Sequence, residues 1–367
     1  MPRSVPPDSL ARLAAAYQAL RDGGSRLRPR DAAAALGVTE AALLASGALG
    51  PVTRLRPDWL ALLRGLAPLG RVMALTRNAL AVHERQGVYE RVEPAGAALL
   101  VLGPEIDLRL FPRGWGQAYA LQGERPSLQI FAADGSAVHK VYATEATDRA
   151  AWAALVAAFA DPATDAPPIA APSAAAPPDE TQSDETPSDE TPAGAAALRA
   201  DWLALRDPHD FHGLLRRHGV SRRQAFRLAG PDLARRLPAG SAAQALRRAA
   251  AAALPLMVFV GNRHAIQIHT GPVSRLVEAQ GWFNVLDPAF NLHLREAAVA
   301  ETWRVVKPTA EGGVTSIELL DAAGEVVALL FGARKPGQPE LPAWRALAEG
   351  LAEDPAGAAT PERRFSY

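Results

Sequence analysis

The residues best placed to do chemistry lie in one short stretch, Asp207-Pro208-His209-Asp210-Phe211-His212-Gly213-Leu214-Leu215. Asp207 is a good helix N-cap and Pro208 suits the first helical position, so the spacing predicts His209 in the first turn of a helix. There the helix dipole disfavours the imidazolium and leaves a neutral ring whose lone pair can go to a metal. His212 follows three residues later, close to the same face. Two histidines at helical spacing are a weak motif, and a solvated helix start would show the same pattern. A structural zinc site needs about four ligands, and His, Asp and Glu here have no recognisable spacing for one. The chain has no cysteine. Thiolate sites, disulfides and thiol nucleophiles are therefore excluded, and any metal is held by His, Asp, Glu or Tyr or arrives inside a cofactor.

The elements that must position these residues come in two sets. A chain of 367 residues is long for one hydrophobic core and comfortable for two. From Asp161 to Ala197 the sequence turns to Pro, Ala, Ser, Thr and acid without aromatics, the composition of a flexible spacer. The flanking halves repeat each other: Arg77-Asn78-Ala79-Leu80-Ala81-Val82-His83 lines up with Arg263-His264-Ala265-Ile266-Gln267-Ile268-His269, a shift of 186 residues (83 to 269). Downstream, Asp107-Leu108-Arg109-Leu110 matches Asn291-Leu292-His293-Leu294, Asp134-Gly135 matches Ala323-Gly324, and Trp152 matches Trp344. Each copy opens with apolar residues at helical spacing, such as Leu203, Leu214 and Leu215. Each then switches to short alternating runs, with turns expected at His269-Thr270-Gly271, Leu286-Asp287-Pro288 and Asp321-Gly324, and ends in a helix. The expected fold is α+β, as two tandem structural repeats that each combine helices with a large antiparallel sheet, over 1–160 and 198–355 with the linker 161–197 between. The first-copy counterpart of the histidine stretch, Leu27 to Ala32, has no histidine. That asymmetry places the chemistry in the second half.

Charge and hydropathy remove several function classes. Lys+Arg and Asp+Glu are both 39, so no global basic field gathers nucleic acid or anionic lipid. No apolar run reaches the roughly 18 residues a membrane span needs, and the N-terminus lacks an export signal, so a cytoplasmic protein is expected. Two helix-turn-helix-like phrases, Leu36 to Leu43 and His218 to Ala225, invite a DNA-binding reading. The first lacks base-reading side chains, while the second has Arg216, Arg217, Arg222, Arg223 and Arg227 around it. The same turn serves any two packed helices. Only Lys140, Lys307 and Lys335 are lysine in this arginine-rich chain.

The stretches DPHDFHGLLRRHGVSRRQAF, MVFVGNRHAIQIHTGPV, GWFNVLDPAFNLHL and AETWRVVKPTAEGGVTSIELLDAAG, with RNALAVHERQG and IDLRLFPRGW in the first half, resemble the bacterial HemS/HmuS/ChuS-type haemin-handling proteins. The resemblance runs from about Leu10 to Leu351 and is densest in the second half. It implies two large sheets with flanking helices and a haem held in a cleft of the second half. It further implies His209 as the axial iron ligand and Phe259 as part of the apolar wall. Arg222, Lys307 and Arg334 are the implied cations for the propionates. Arg109 is implied as the arginine that reaches the opposite haem face and, where haem is broken down, as the catalytic residue. Phe331 stands where a tyrosine is expected, so a hydroxyl contact to haem should be missing; the position of His212 need not be histidine in relatives. These assignments suit haem, an apolar plate with two carboxylates at one edge, which needs an apolar slot, cations at its mouth and an iron ligand.

The function so implied is cytoplasmic haem (haemin) binding and trafficking for iron acquisition. A haem-uptake transporter or a downstream haem oxygenase would be the partner. Carriers and haem-degrading proteins both occur in such a family, and the sequence leaves that choice open. The alternatives of another class are a non-haem structural or protein-interaction module and a DNA-binding regulator.

Overall fold

Helical and strand-forming segments alternate along the chain in the order the two repeats anticipate. The computed structural model describes residues 7–162, 167, 192–335 and 337–351. The first half contains α1 (Pro7–Asp22), α2 (Pro29–Ala35), α3 (Glu40–Ala45), β1 (Val52–Leu55), α4 (Trp59–Arg64), β2 (Gly70–Arg77), β3 (Ala81–Gly87), β4 (Arg91–Ala95), β5 (Ala98–Leu102), β6 (Asp107–Leu110), β7 (Trp115–Leu121), β8 (Ser127–Ala132), β9 (Ala137–Thr147) and α5 (Arg149–Phe159). The second contains α6 (Pro192–Leu203), α7 (Phe211–His218), α8 (Arg222–Leu228), β10 (Ala234–Leu237), α9 (Ser241–Ala251), β11 (Leu256–Asn262), β12 (Ala265–Gly271), β13 (Leu276–Ala279), β14 (Trp282–Leu286), β15 (Phe290–Leu294), β16 (Glu301–Thr309), β17 (Gly312–Leu320), β18 (Val326–Gly332) and α10 (Pro342–Gly350). Side-chain caps fix where α3 and α8 begin. Thr39 accepts from the Ala42 N–H, and Ser221 forms a capping box with Gln224.

The strands form two nine-stranded antiparallel sheets, ordered β1-β7-β8-β9-β2-β3-β15-β14-β13 and β10-β16-β17-β18-β11-β12-β6-β5-β4. Each order is the other with every strand replaced by its counterpart, which bears out the duplication. The expected linker lies mostly outside the described residues, but its last part is helical, because α6 starts at Pro192. The turn expected at His269-Thr270-Gly271 is displaced: β12 runs through Gly271 and the chain turns after it. The expected turns after Leu286 and Asp321 fall between strands as anticipated.

Two compact units arise, and they differ from the sequence halves by a pair of short segments. Residues 78–82 belong to the second unit and residues 261–267 to the first. In the second unit Asn78 Nδ2 donates to the Val327 carbonyl at 2.8 Å, and Ala81 lies in the core. In the first unit Asn262 Nδ2 donates to the Val138 carbonyl at 2.9 Å, and Ala265 lies in the core. Asn78 and Asn262 are thus structural counterparts, a shift of 184 residues (78 to 262). The repeat register read from the histidine motif is corrected by two residues: His83 corresponds to Gln267, and both are fully buried.

In the first unit Leu62 and Leu63 of α4 and Trp152 and Leu155 of α5 pack with Val72, Ile130 and Val141 of the strands. In the second unit Leu246 of α9 and Trp344 of α10 cover one face of the strands, against Leu256, Val258, Ile317 and Leu330. Trp344 is seated tightly, its indole N–H donating to the Thr315 carbonyl at 2.9 Å. A Cβ on Gly332 would come within 2.6 Å of the Trp344 Cβ, so glycine is required for this approach. The helices α6–α8 cover part of the opposite face through Trp202, Phe211 and Phe226, packed against Trp303 and Val305. No helix among the described residues is long and apolar enough to cross a membrane.

Candidate functional site

The histidine stretch folds as its spacing predicts, with one refinement. Pro208–Asp210 form a single 3-10 turn that leads into α7, and Asp207 is its N-cap. Asp207 Oδ1 accepts from the His209 backbone N–H at 2.8 Å and lies 2.6 Å from His209 Nδ1. With Nδ1 as the donor to this carboxylate, Nε2 carries the lone pair. The His209 side chain is 92% exposed, so that lone pair is accessible. The turn is fixed to the sheet by its neighbours: Trp202 Nε1 donates to the Val306 carbonyl at 3.0 Å, and the Ala310 N–H donates to the Arg206 carbonyl.

Next to this turn, Phe211 is fully buried against Trp202, their ring centroids 4.6 Å apart. Above the Phe211 ring lie two cations, Lys307 Nζ at 4.7 Å from its centroid and the Arg222 guanidinium at 5.3 Å. Both converge on Glu318, a carboxylate with no solvent exposure. Lys307 donates to Glu318 Oε1, Arg222 Nη1 donates to Oε2 at 2.6 Å, and Ser316 Oγ donates to Oε1 at 2.8 Å. Burial alone would raise the Glu318 carboxyl, but Lys307 and Arg222 outweigh it and hold the group well below the usual carboxylate range. Burial lowers the Lys307 ammonium, against the opposing pull of Glu318. His212 is an exposed residue, yet desolvation, reinforced by Arg222 and Lys307, pushes its imidazole down to about 4. His212 is therefore neutral at pH 7.

Cross-strand register shows what surrounds this cluster. Glu318 sits opposite Leu329, Ser316 opposite Phe331, and on the next strand Met257 is opposite Phe331 and Phe259 opposite Leu329. Directly paired residues share a face of the sheet. Met257, Phe259, Leu329 and Phe331 therefore lie on the Glu318 face, and all four are only half-buried. Phe259 and Phe331 meet edge to face, centroids 5.2 Å apart. Arg334 follows at the end of β18; its charge acts on Asp207, and its Nη1 donates to the Gln338 carbonyl at 3.3 Å.

The second unit thus holds His209, His212, Arg222, Phe259, Lys307, Phe331 and Arg334. Arg109 belongs to the first unit, on β6, where its guanidinium is paired with Asp107. Glu318, Met257 and Leu329 were missed by sequence reasoning. Glu318 left a trace: in Thr315-Ser316-Ile317-Glu318-Leu319-Leu320 an acid stands in a strand that is buried from Val314 onward. The helix-turn-helix-like phrases have other duties. Four residues of α3, Ala41 to Leu44, are buried. On α8, Arg222 engages Glu318, Arg223 donates to the Asp321 carbonyl at 2.7 Å, and Arg227 pairs with Glu301 at 2.8 Å.

The chain matches the family model of the haemin-degrading HemS.ChuX domain twice, over residues 37–159 and 219–351. It is 42% identical over 322 residues to the hemin transport protein HemS of Yersinia enterocolitica, covering 86% of this chain and 90% of that protein. Among solved structures it resembles holo-PhuS, a heme-binding protein from Pseudomonas aeruginosa, with TM-score 0.86 and 49% identity over 93% of this chain and 99% of that one. It also resembles the heme degrading enzyme ChuS of Escherichia coli O157:H7, with TM-score 0.83 and 35% identity over 93% of this chain and 99% of that one.

Proposed function

The chain belongs to the haemin-degrading HemS.ChuX domain family, and on that footing we propose that it binds haem for trafficking in iron acquisition, with His209 as the axial iron ligand. The observation that carries the ligand assignment is the Asp207–His209 pair, in which Nδ1 is engaged at 2.6 Å on a 92% exposed ring and Nε2 is left to coordinate.

The residues around it fit a haem. Met257, Phe259, Leu329 and Phe331 supply a half-buried apolar face that excludes water from a flat macrocycle. Arg222 and Lys307 bring two positive charges against the single negative charge of Glu318, so the cluster keeps one net positive charge for a propionate. Arg334 adds a further half-buried cation. Phe331 offers no hydroxyl, so its part is confined to apolar contact. When bound, haem supplies an iron centre able to bind dioxygen; the chain supplies the donor nitrogen, the dry face and the charge complement. Haem breakdown, with Arg109 as its catalytic residue, is a finer proposal that rests on the sequence resemblance. A cytoplasmic location and exchange of haem with an uptake transporter or a downstream haem oxygenase belong to the same reading.

Titrating the haem-free protein with haemin while recording the visible spectrum tests the proposal. A Soret shift that saturates at stoichiometric haemin is expected. A spectrum unchanged from free haemin would overturn it in favour of a structural or protein-interaction module.

A further inference from the structure

We propose that Asp207 is the positioning residue of the iron ligand, its carboxylate holding His209 in the Nδ1–H tautomer and making Nε2 a stronger donor. This rests on the reading of His209 as the ligand and deepens it. One carboxylate oxygen meets two groups of the same residue: it accepts from the His209 backbone N–H at 2.8 Å and lies 2.6 Å from its Nδ1. The backbone bond fixes the carboxylate relative to the peptide, and the ring bond then fixes the imidazole relative to the carboxylate. An imidazole on an exposed turn otherwise rotates freely and favours the Nε2–H tautomer, whose Nε2 cannot coordinate.

The physical consequence is twofold. Selecting the tautomer before binding removes the cost of reaching the coordinating form. A carboxylate behind Nδ1 also pulls on that proton and raises the basicity of the opposite nitrogen, as outer partners of metal-bound histidines do generally.

Asp207→Ala and Asp207→Asn, compared with the unmodified chain and with His209→Ala, provide the test. In protein without haem, 15N shifts of the His209 ring are expected to report the Nδ1–H form, and Asp207→Ala is expected to restore the Nε2–H form. With haemin, Asp207→Ala is expected to lower affinity ten- to a hundredfold, of the order typical for outer partners of metal ligands. Asn retains the cap but not the charge. If Asp207 acts through the ring, Asp207→Asn keeps wild-type stability while the reduction potential of the bound haem becomes more positive, as in Asp207→Ala. A pure capping role predicts a potential unchanged in Asp207→Asn, and that result overturns the proposal. So does an Asp207→Ala protein with the wild-type tautomer; His209→Ala separately reads the ligand assignment. If His209→Ala binds haemin with wild-type affinity and spectrum, the ligand reading fails and the positioning role fails with it.

Discussion

Arg222 Nη1 donates to Glu318 Oε2 at 2.6 Å, tying the first residue of α8 to the last third of β17. Lys307 holds the other oxygen, so one buried acid neutralises one of two cations and positions both beside the turn that carries His209. Removing one member of such a buried network leaves the others without compensation.

Glu318→Gln is accordingly expected to destabilise the chain by about 3–5 kcal/mol, measured by urea unfolding at pH 7. The folded carboxyl lies below its unfolded value, so its contribution is fully present above the unfolded value near 4.5 and is lost as pH falls toward about 2. The gap between wild type and variant should therefore close over that acid window. A gap that persists undiminished at the acid end would show that Glu318 acts through packing alone.

In the first unit His139 is buried between two hydroxyls, Thr76 Oγ1 at 2.8 Å from Nδ1 and Tyr89 OH at 2.6 Å from Nε2. Burial pushes this imidazole down to about 3. Folding therefore selects the neutral ring: its stabilising contribution is complete above the unfolded value near 6.5 and is lost as pH falls toward 3. Wild type should lose up to about 1.4 kcal/mol per pH unit through this group, and His139→Gln should show a shallower decline of unfolding free energy between pH 7 and 5. Parallel pH profiles would contradict the assignment.

Tyr89→Phe removes the hydroxyl that faces His139 Nε2 in a fully buried site. The orphaned ring nitrogen is expected to cost about 1–3 kcal/mol, seen as a lower urea midpoint with an unchanged haemin spectrum, since His209 belongs to the other unit. A loss of haemin binding by folded Tyr89→Phe would contradict the separation of these roles.

Arg109→Ala is expected to slow any haem breakdown by on the order of 10²–10³ while haemin affinity changes little, because an aimed hydrogen-bond donor acts mainly on charge that develops during reaction. Haem loss with ascorbate as reductant and catalase present is the measurement. Equal loss in both proteins removes Arg109 from catalysis, and no loss in either favours carriage alone. Phe331→Tyr is the matching control for haem orientation.

Much of this site was legible in the sequence because its signals are local. Asp207, Pro208 and His209 announce a capped turn within three positions, and the structure contains that turn. The duplication was legible too, but its register slipped by two residues because His83 and His269 were matched by identity. The true counterparts, Asn78 and Asn262, are defined by carbonyls far away in the chain, Val327 and Val138. Distance in sequence likewise hid the exchange of residues 78–82 and 261–267, and the convergence of Lys307 and Arg222 on Glu318. Each of these basic residues reads singly as a surface cation; only the pairing of β16 with β17, and α8 packed nearby, turns them inward.

Haemin titrations of His209→Ala, His212→Ala and His218→Ala beside the wild type show whether His209 holds the haem iron. His218 Nε2 is occupied by Asp201 at 2.9 Å, and His212 is the nearby neutral imidazole. His209→Ala alone is expected to lose the wild-type Soret position and most of the affinity, with the double variant His209→Ala/His212→Ala showing whether the neighbour substitutes. A wild-type spectrum and affinity in His209→Ala, or a larger loss in His212→Ala, would contradict it.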